Sequence, residues 1–197
     1  MKGALILTMA RLVICPIFLV VYLFYQSLGL SLFSMSLVLL VLLTLCELSD
    51  AFDGVIARRS NQVTVLGKIL DPMADSVVRL SVLLVFTQGL IKLPMLLILV
   101  FVFRDAIISM LRTLCALKGK ALAARTSGKL KAILQAVSIY AIICLMVLYS
   151  TDWISLSTLR NTSFWIVLVT AFYTVVSGVE YLWTCRSYIR EAWVCSN

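Results

Sequence analysis

At 197 residues the chain is 62% hydrophobic and only 13% charged, with a mean hydropathy of +1.08. That composition excludes an ordinary water-soluble domain and points to an integral membrane protein, expected as a single domain over residues 1–197. The net charge of +8 is better explained by basic residues flanking apolar spans than by nucleic acid, which is not expected as a partner. Having no histidine, the chain can use neither histidine bases nor a Ser-His-Asp triad. Its six cysteines lie scattered with no CxxC pair, as unpaired thiols rather than a disulfide frame or a zinc site.

In chain order, six apolar segments are expected as membrane-spanning helices: about 5–26, 31–52, 67–89, 93–114, 131–150 and 163–184. The first lacks a small-residue cleavage site and is followed by further spans, so it reads as a retained helix. Turn signals separate the segments at Ser27–Gly29, Arg58–Gln62, Gln88-Gly89, Lys118–Lys120, Thr151-Asp152 and Asn161-Thr162. The fold class is thus all-α, a bundle of six transmembrane helices in which successive helices pack as antiparallel neighbours.

Orientation follows from the cations. With a cytoplasmic N-terminus, Lys2, Arg58, Arg59, Lys68, Lys118, Lys120, Arg125, Lys129, Lys131, Arg186 and Arg190 all lie inside, and only Lys92 and Arg160 lie in outer loops. Both termini are therefore expected in the cytoplasm, in a multi-pass protein of the inner (cytoplasmic) membrane.

The chemistry concentrates between helices two and three. Asp50, Asp53, Asp71 and Asp75 are four of the nine acidic residues in the chain. Carboxylates beside lipid are costly and mark a functional site by default. Asp50 and Asp53 are three apart, Asp71 and Asp75 four apart, so each pair shares one helical face. An antiparallel hairpin would turn the two faces toward one cavity. Like charges gathered there need a cationic partner, and hard oxygen ligands suit magnesium, calcium or manganese. Gly54, Ala57 and Gly67 interleave at about one-turn spacing and leave room for a bulky ligand, while Arg58 can offer a forked contact to phosphate. A salt-bridged hairpin pairing these acids with Arg58, Lys68 and Arg79 would not require the interleaved small residues. A proton or cation path would place acids near the midplane on several helices.

A second basic group comprises Arg104-Asp105, Arg112, Lys129, Lys131 and Gln135. Arg112, Lys129 and Lys131 are expected to converge near the cytoplasmic mouth as a phosphate pocket. Positive-inside topology and snorkelling account for Lys118 and Lys120 without further function. Arg79, on the Asp71/Asp75 face, reads equally as an ion-pair partner of those acids and as an acceptor contact.

The pattern D-x2-D-G-x2-A-R-x8-G-x3-D-x3-D, matched here at every fixed position from Asp50 to Asp75, resembles the signature of the CDP-alcohol phosphatidyltransferases. The resemblance implies attack of a hydroxyl on the β-phosphate of a CDP-linked lipid, with release of CMP. It implies that Asp50, Asp53, Asp71 and Asp75 hold two divalent ions, magnesium or manganese, and that Asp75 is the general base. It further implies that Asp50, Gly54, Ala57, Arg58 and Gly67 contact the CDP moiety. The physics is consistent: metals neutralise the pyrophosphate and stabilise the departing oxygen. Neighbouring cations lower the pKa of a carboxylate base and neighbouring carboxylates raise it, a balance that sequence leaves open.

Further wording resembles the phosphatidylglycerophosphate synthase branch: Leu7-Thr8 with Arg11 and Pro16, Arg104-Asp105, Leu111-Arg112, Gly128-Lys129 with Lys131 and Gln135, and Ser177-Gly178 with Tyr181. That branch implies CDP-diacylglycerol and sn-glycerol 3-phosphate as substrates, an acceptor whose phosphate the pocket of Arg112, Lys129 and Lys131, with Arg79 as a further candidate, is expected to hold. Departures are the missing Asn-x-Pro before Leu7, the shorter Asp105 where glutamate is usual, Ala132 for threonine, and Ser76 for lysine. Rival readings keep the chemistry with another acceptor (inositol phosphate, serine, phosphatidylglycerol, or diacylglycerol with CDP-choline or CDP-ethanolamine), or make the chain a small ion transporter or a scaffold. Apolar helix faces also permit a homodimer.

Overall fold

The computed structural model describes the backbone of residues 2–59, 65–117 and 126–194, and the side chains of residues 13–49, 73–113, 126–184 and 186. Among the described residues there are six α-helices and no strand: α1 (Lys2–Phe24), α2 (Leu32–Arg59), α3 (Val65–Val85), α4 (Met95–Leu117), α5 (Thr126–Ser150) and α6 (Leu156–Val194). The all-α expectation holds. Among the described residues three stretches are long and apolar enough to cross a membrane: Leu32–Ser49, Thr126–Ser150 and Leu156–Thr184.

Local chemistry explains where the helices stop. Gly29 takes φ 69° after α1, with Gly29 N–H donating to Gln26 O at 3.1 Å and Leu30 N–H to Tyr25 O at 2.9 Å. This pair of bonds is a Schellman cap. Asp152, at φ 60°, ends α5 in the same way, through Asp152 N–H to Tyr149 O and Trp153 N–H to Leu148 O, both 3.1 Å. Ser31 Oγ accepts from Ser34 N–H at the start of α2, and Ser155 Oγ accepts from Thr158 N–H at the start of α6, each at 3.2 Å.

Two boundaries differ from expectation. Asn161-Thr162 is not a turn but lies inside α6, which starts seven residues before the expected 163 and runs on to Val194. The Ser155 cap supplies the start signal, and a polar pair within a helix needs no break. Likewise α2 continues through Arg58 and Arg59 instead of ending near 52.

Packing follows a ring in the order α2, α1, α3, α4, α6, α5 and back to α2, with α3 also touching α5 across the middle. Successive helices pack together for α1–α2, α3–α4 and α5–α6. Among the described residues the backbones of α2 and α3, and of α4 and α5, do not approach closely; α4 and α5 meet instead through the side chains of Asp105 and Lys131.

The apolar core runs through both halves of the ring and includes Phe18, Leu39, Phe86, Phe101, Ile139, Ile143, Met146 and Val167. Phe86 is met edge-on by Phe18 and Tyr22, with centroids 6.4 and 5.6 Å away. At the end carrying the short turns, Tyr22 Oη donates to Gln88 O at 3.1 Å and Arg160 Nε to Leu90 O at 2.9 Å. These bonds fasten α1 and α6 to the α3–α4 turn. Phe172, Val169 and Met110 point outward, as lipid-facing side chains would.

Candidate active site

The opposite end of the ring carries the charged residues. The last turns of α2 contain Asp50, Asp53, Gly54, Ala57 and Arg58, and the first three turns of α3 contain Gly67, Asp71 and Asp75. Helical backbone at these positions preserves the three- and four-residue spacings on which the shared-face reasoning rests. Asp75 is half-buried, between buried Ala74 and Val78. The other array side chains lie outside the described residues. Among the described residues there is no group of three or more metal-ligating side chains. The donor chemistry of the array, carboxylate oxygen without sulfur or imidazole, fits a hard dication such as magnesium or manganese.

The second charged group sits between α4, α5 and α6. Lys131 Nζ donates to both oxygens of Asp105, at 2.7 and 2.6 Å. Arg104 Nη1 donates to Asp105 Oδ1 at 3.1 Å, and Arg104 Nη2 to Ser177 Oγ at 3.2 Å. Asp105 is 6% exposed and Lys131 3%. One carboxylate thus joins two cations inside the protein, so the triad carries more positive than negative charge. A buried charge excess of this kind calls for an anion.

Around the triad, several buried polar atoms have no hydrogen-bond partner: the Nε atoms of Arg79, Arg104 and Arg112, both amide atoms of Gln135, and Tyr181 Oη. Gln135 follows Lys131 by one turn of α5 and is fully buried. Arg79 lies within Coulombic reach of Lys131. The Arg112 guanidinium stacks over the Tyr181 ring, 5.8 Å from its centroid, a cation–π contact. It also reaches the first turn of α5, where a Cβ on Gly128 would be 4.0 Å from Nη2.

The expected convergence of Arg112, Lys129 and Lys131 is therefore distributed differently. Lys131 turns inward and is held by Asp105, Arg112 spans from α4 to the first turn of α5 and to Tyr181, and Lys129 is exposed. Sequence reasoning noted Arg104-Asp105, Ser177-Gly178 and Tyr181 as wording but did not pair them. The rule that flagged the aspartate array also applies to Asp105, an acid inside an apolar span.

An apolar helical bundle with carboxylates, arginines and unpartnered polar atoms gathered at one end is a membrane protein carrying a polar cluster. The chain belongs to the CDP-alcohol phosphatidyltransferase family, which it matches over residues 1–176, and it is an enzyme of that class. It is 30% identical over 184 residues to a protein of Rickettsia typhi, covering 92% of this chain and 96% of the relative. It is 29% identical to one of Bacillus subtilis, covering 89% and 90%, and 30% identical to one of Shigella flexneri, covering 95% and 92%. Each of the three carries the name CDP-diacylglycerol–glycerol-3-phosphate 3-phosphatidyltransferase.

Proposed function

We propose that the protein transfers a phosphatidyl group from CDP-diacylglycerol to sn-glycerol 3-phosphate, giving phosphatidylglycerophosphate and CMP. The observation that carries this reading is the pairing of two polar groups through one helix contact. The CDP-alcohol phosphatidyltransferase array ends on α3 at Asp75, and α3 packs on α5, which bears Lys131 and Gln135. This contact supports a donor site beside an anion site, and the named relatives support the identity of both substrates.

In this reading residues 1–197 form one domain with six spans, both termini cytoplasmic, in the inner membrane, and the site faces the cytoplasm. Asp50, Asp53, Asp71 and Asp75 would hold two magnesium or manganese ions. When bound, these supply charge neutralisation of the pyrophosphate and stabilisation of the leaving oxygen. Asp50, Gly54, Ala57, Arg58 and Gly67 would contact the CDP moiety, the small residues leaving room for it and the arginine offering a fork to the diphosphate. Arg112, Lys129, Lys131 and Arg79 draw in the acceptor phosphate. Their field orients the acceptor hydroxyl toward the lipid phosphate.

The acceptor oxygen forms a bond to the phosphorus carrying diacylglycerol. The bond from that phosphorus to the bridging oxygen breaks, CMP leaves with the electron pair, and the Asp75 carboxylate takes the hydroxyl proton. Apolar outer faces allow a homodimer in the bilayer.

The test supplies purified protein with CDP-diacylglycerol, magnesium and a panel of alcohols, scoring CMP and the lipid product. CMP release that depends on glycerol 3-phosphate is the expected result. Release only with inositol phosphate, serine, phosphatidylglycerol or diacylglycerol would move the acceptor assignment, and flux without CMP would replace the enzyme by a transporter.

A further inference from the structure

The reading above gives Asp105 no role, yet it is the most heavily engaged buried carboxylate among the described residues. Its two oxygens accept two bonds from Lys131 and one from Arg104. Arg104 in turn reaches Ser177 on α6, and its stem lies against Gly178, where a Cβ would come within 3.1 Å of Cγ. One carboxylate therefore ties three helices. The consequence extends along α4 and α6. Arg104 meets Ser177, and Arg112, about 12 Å further along α4 by helical rise, meets Tyr181, one turn beyond Ser177. The α4–α6 register that Asp105 helps fix is the same register that seats the Arg112 guanidinium. Lys131 is fixed directly.

We infer that Asp105 is a positioning residue for the acceptor phosphate: it holds Lys131 and, through Arg104 and Ser177, the α4–α6 register that presents Arg112. The inference rests on the proposed function and deepens it. An ammonium with two donors committed to a carboxylate has one left to give, in a fixed direction. Released from Asp105, it would have the rotamer freedom of an ordinary lysine and would lose that direction. Outer partners that orient a binding group characteristically cost roughly 10- to 100-fold when removed.

The experiment measures steady-state kinetics of the detergent-purified full chain with both substrates varied. Asp105→Asn is expected to raise KM for glycerol 3-phosphate roughly 10-fold or more, leaving KM for CDP-diacylglycerol within about twofold. Asp105→Glu, which restores the charge, should recover most of the loss. Ser177→Ala removes a single neutral acceptor from Arg104 and should raise the acceptor KM a few-fold. This milder variant decides the matter if Asp105→Asn does not accumulate as folded protein. The inference is overturned if Asp105→Asn and Ser177→Ala leave the acceptor KM unchanged, if both substrates' KM values rise together, or if Asp105→Glu fails to recover. Failure of the parent reading looks different: the unmodified protein would then release no CMP with glycerol 3-phosphate.

Discussion

Gly178→Ala offers a sharp test of the α4–α6 contact, because two opposing effects can be weighed. Alanine is the better helix former by about 1 kcal/mol, so in an open stretch of α6 the change would stabilise. At this position the added Cβ would sit 3.1 Å from Arg104 Cγ, closer than the ~3.5–4.0 Å at which carbon atoms rest comfortably. A lysine tip could swing away, but Arg104 cannot move freely. Its guanidinium is bonded to Asp105 at 3.1 Å and to Ser177 at 3.2 Å. Either α6 moves outward or the Ser177 bond is lost, and such overpacking costs about 1–3 kcal/mol. The net expectation is a loss of about 1 kcal/mol, a fall in Tm of about 2–4 °C for a chain of this length. Thermal unfolding in mild detergent reads it. In an Arg104→Ala background the obstructing Cγ is gone, and Gly178→Ala should then raise Tm. A Tm increase in the native background, or an equal shift in both, would refute the packing argument.

At the other end of the bundle, Gly89→Ala forces alanine into φ 65° with its Cβ 3.1 Å from Tyr22 Cε1. Stability should fall by about 1–2 kcal/mol, while KM for glycerol 3-phosphate stays unchanged because the acceptor residues lie at the far end. Asp75→Asn should abolish CMP release but keep part of the CDP-lipid binding, and ordinary turnover would remove the base assignment. Asp53→Asn should likewise stop the chemistry, whereas a scaffold would be indifferent. Chelation with EDTA should halt CMP release, and added magnesium or manganese should restore it; undiminished activity in EDTA would exclude the proposed ions. Reporter fusions at both ends should be active only on the cytoplasmic side, and a periplasmic signal from either would reverse the topology.

What the sequence determined by itself is local. Gly29 and Asp152 end helices through left-handed backbone, and Ser31 begins α2 through a side-chain cap. The spacing of Asp50, Asp53, Asp71 and Asp75 is likewise local, and it sufficed to place the chain in its family. These features depend on residues within about a turn of one another, where helical geometry leaves few options. The α6 start is local too: Ser155 caps it, and the polar pair Asn161-Thr162 fits inside the helix without a break.

Tertiary structure decided the partners. Lys131 is 26 positions from Asp105, and Ser177 is 73 from Arg104. Helical periodicity says which face a charge occupies, but not which of five other helices will meet that face. The ring order, with α2 and α3 each leaning on α1 and α5, arises from how apolar surfaces fill space together. Once that order is set, a carboxylate between two cations is favoured because an unpaired charge buried there would be costly.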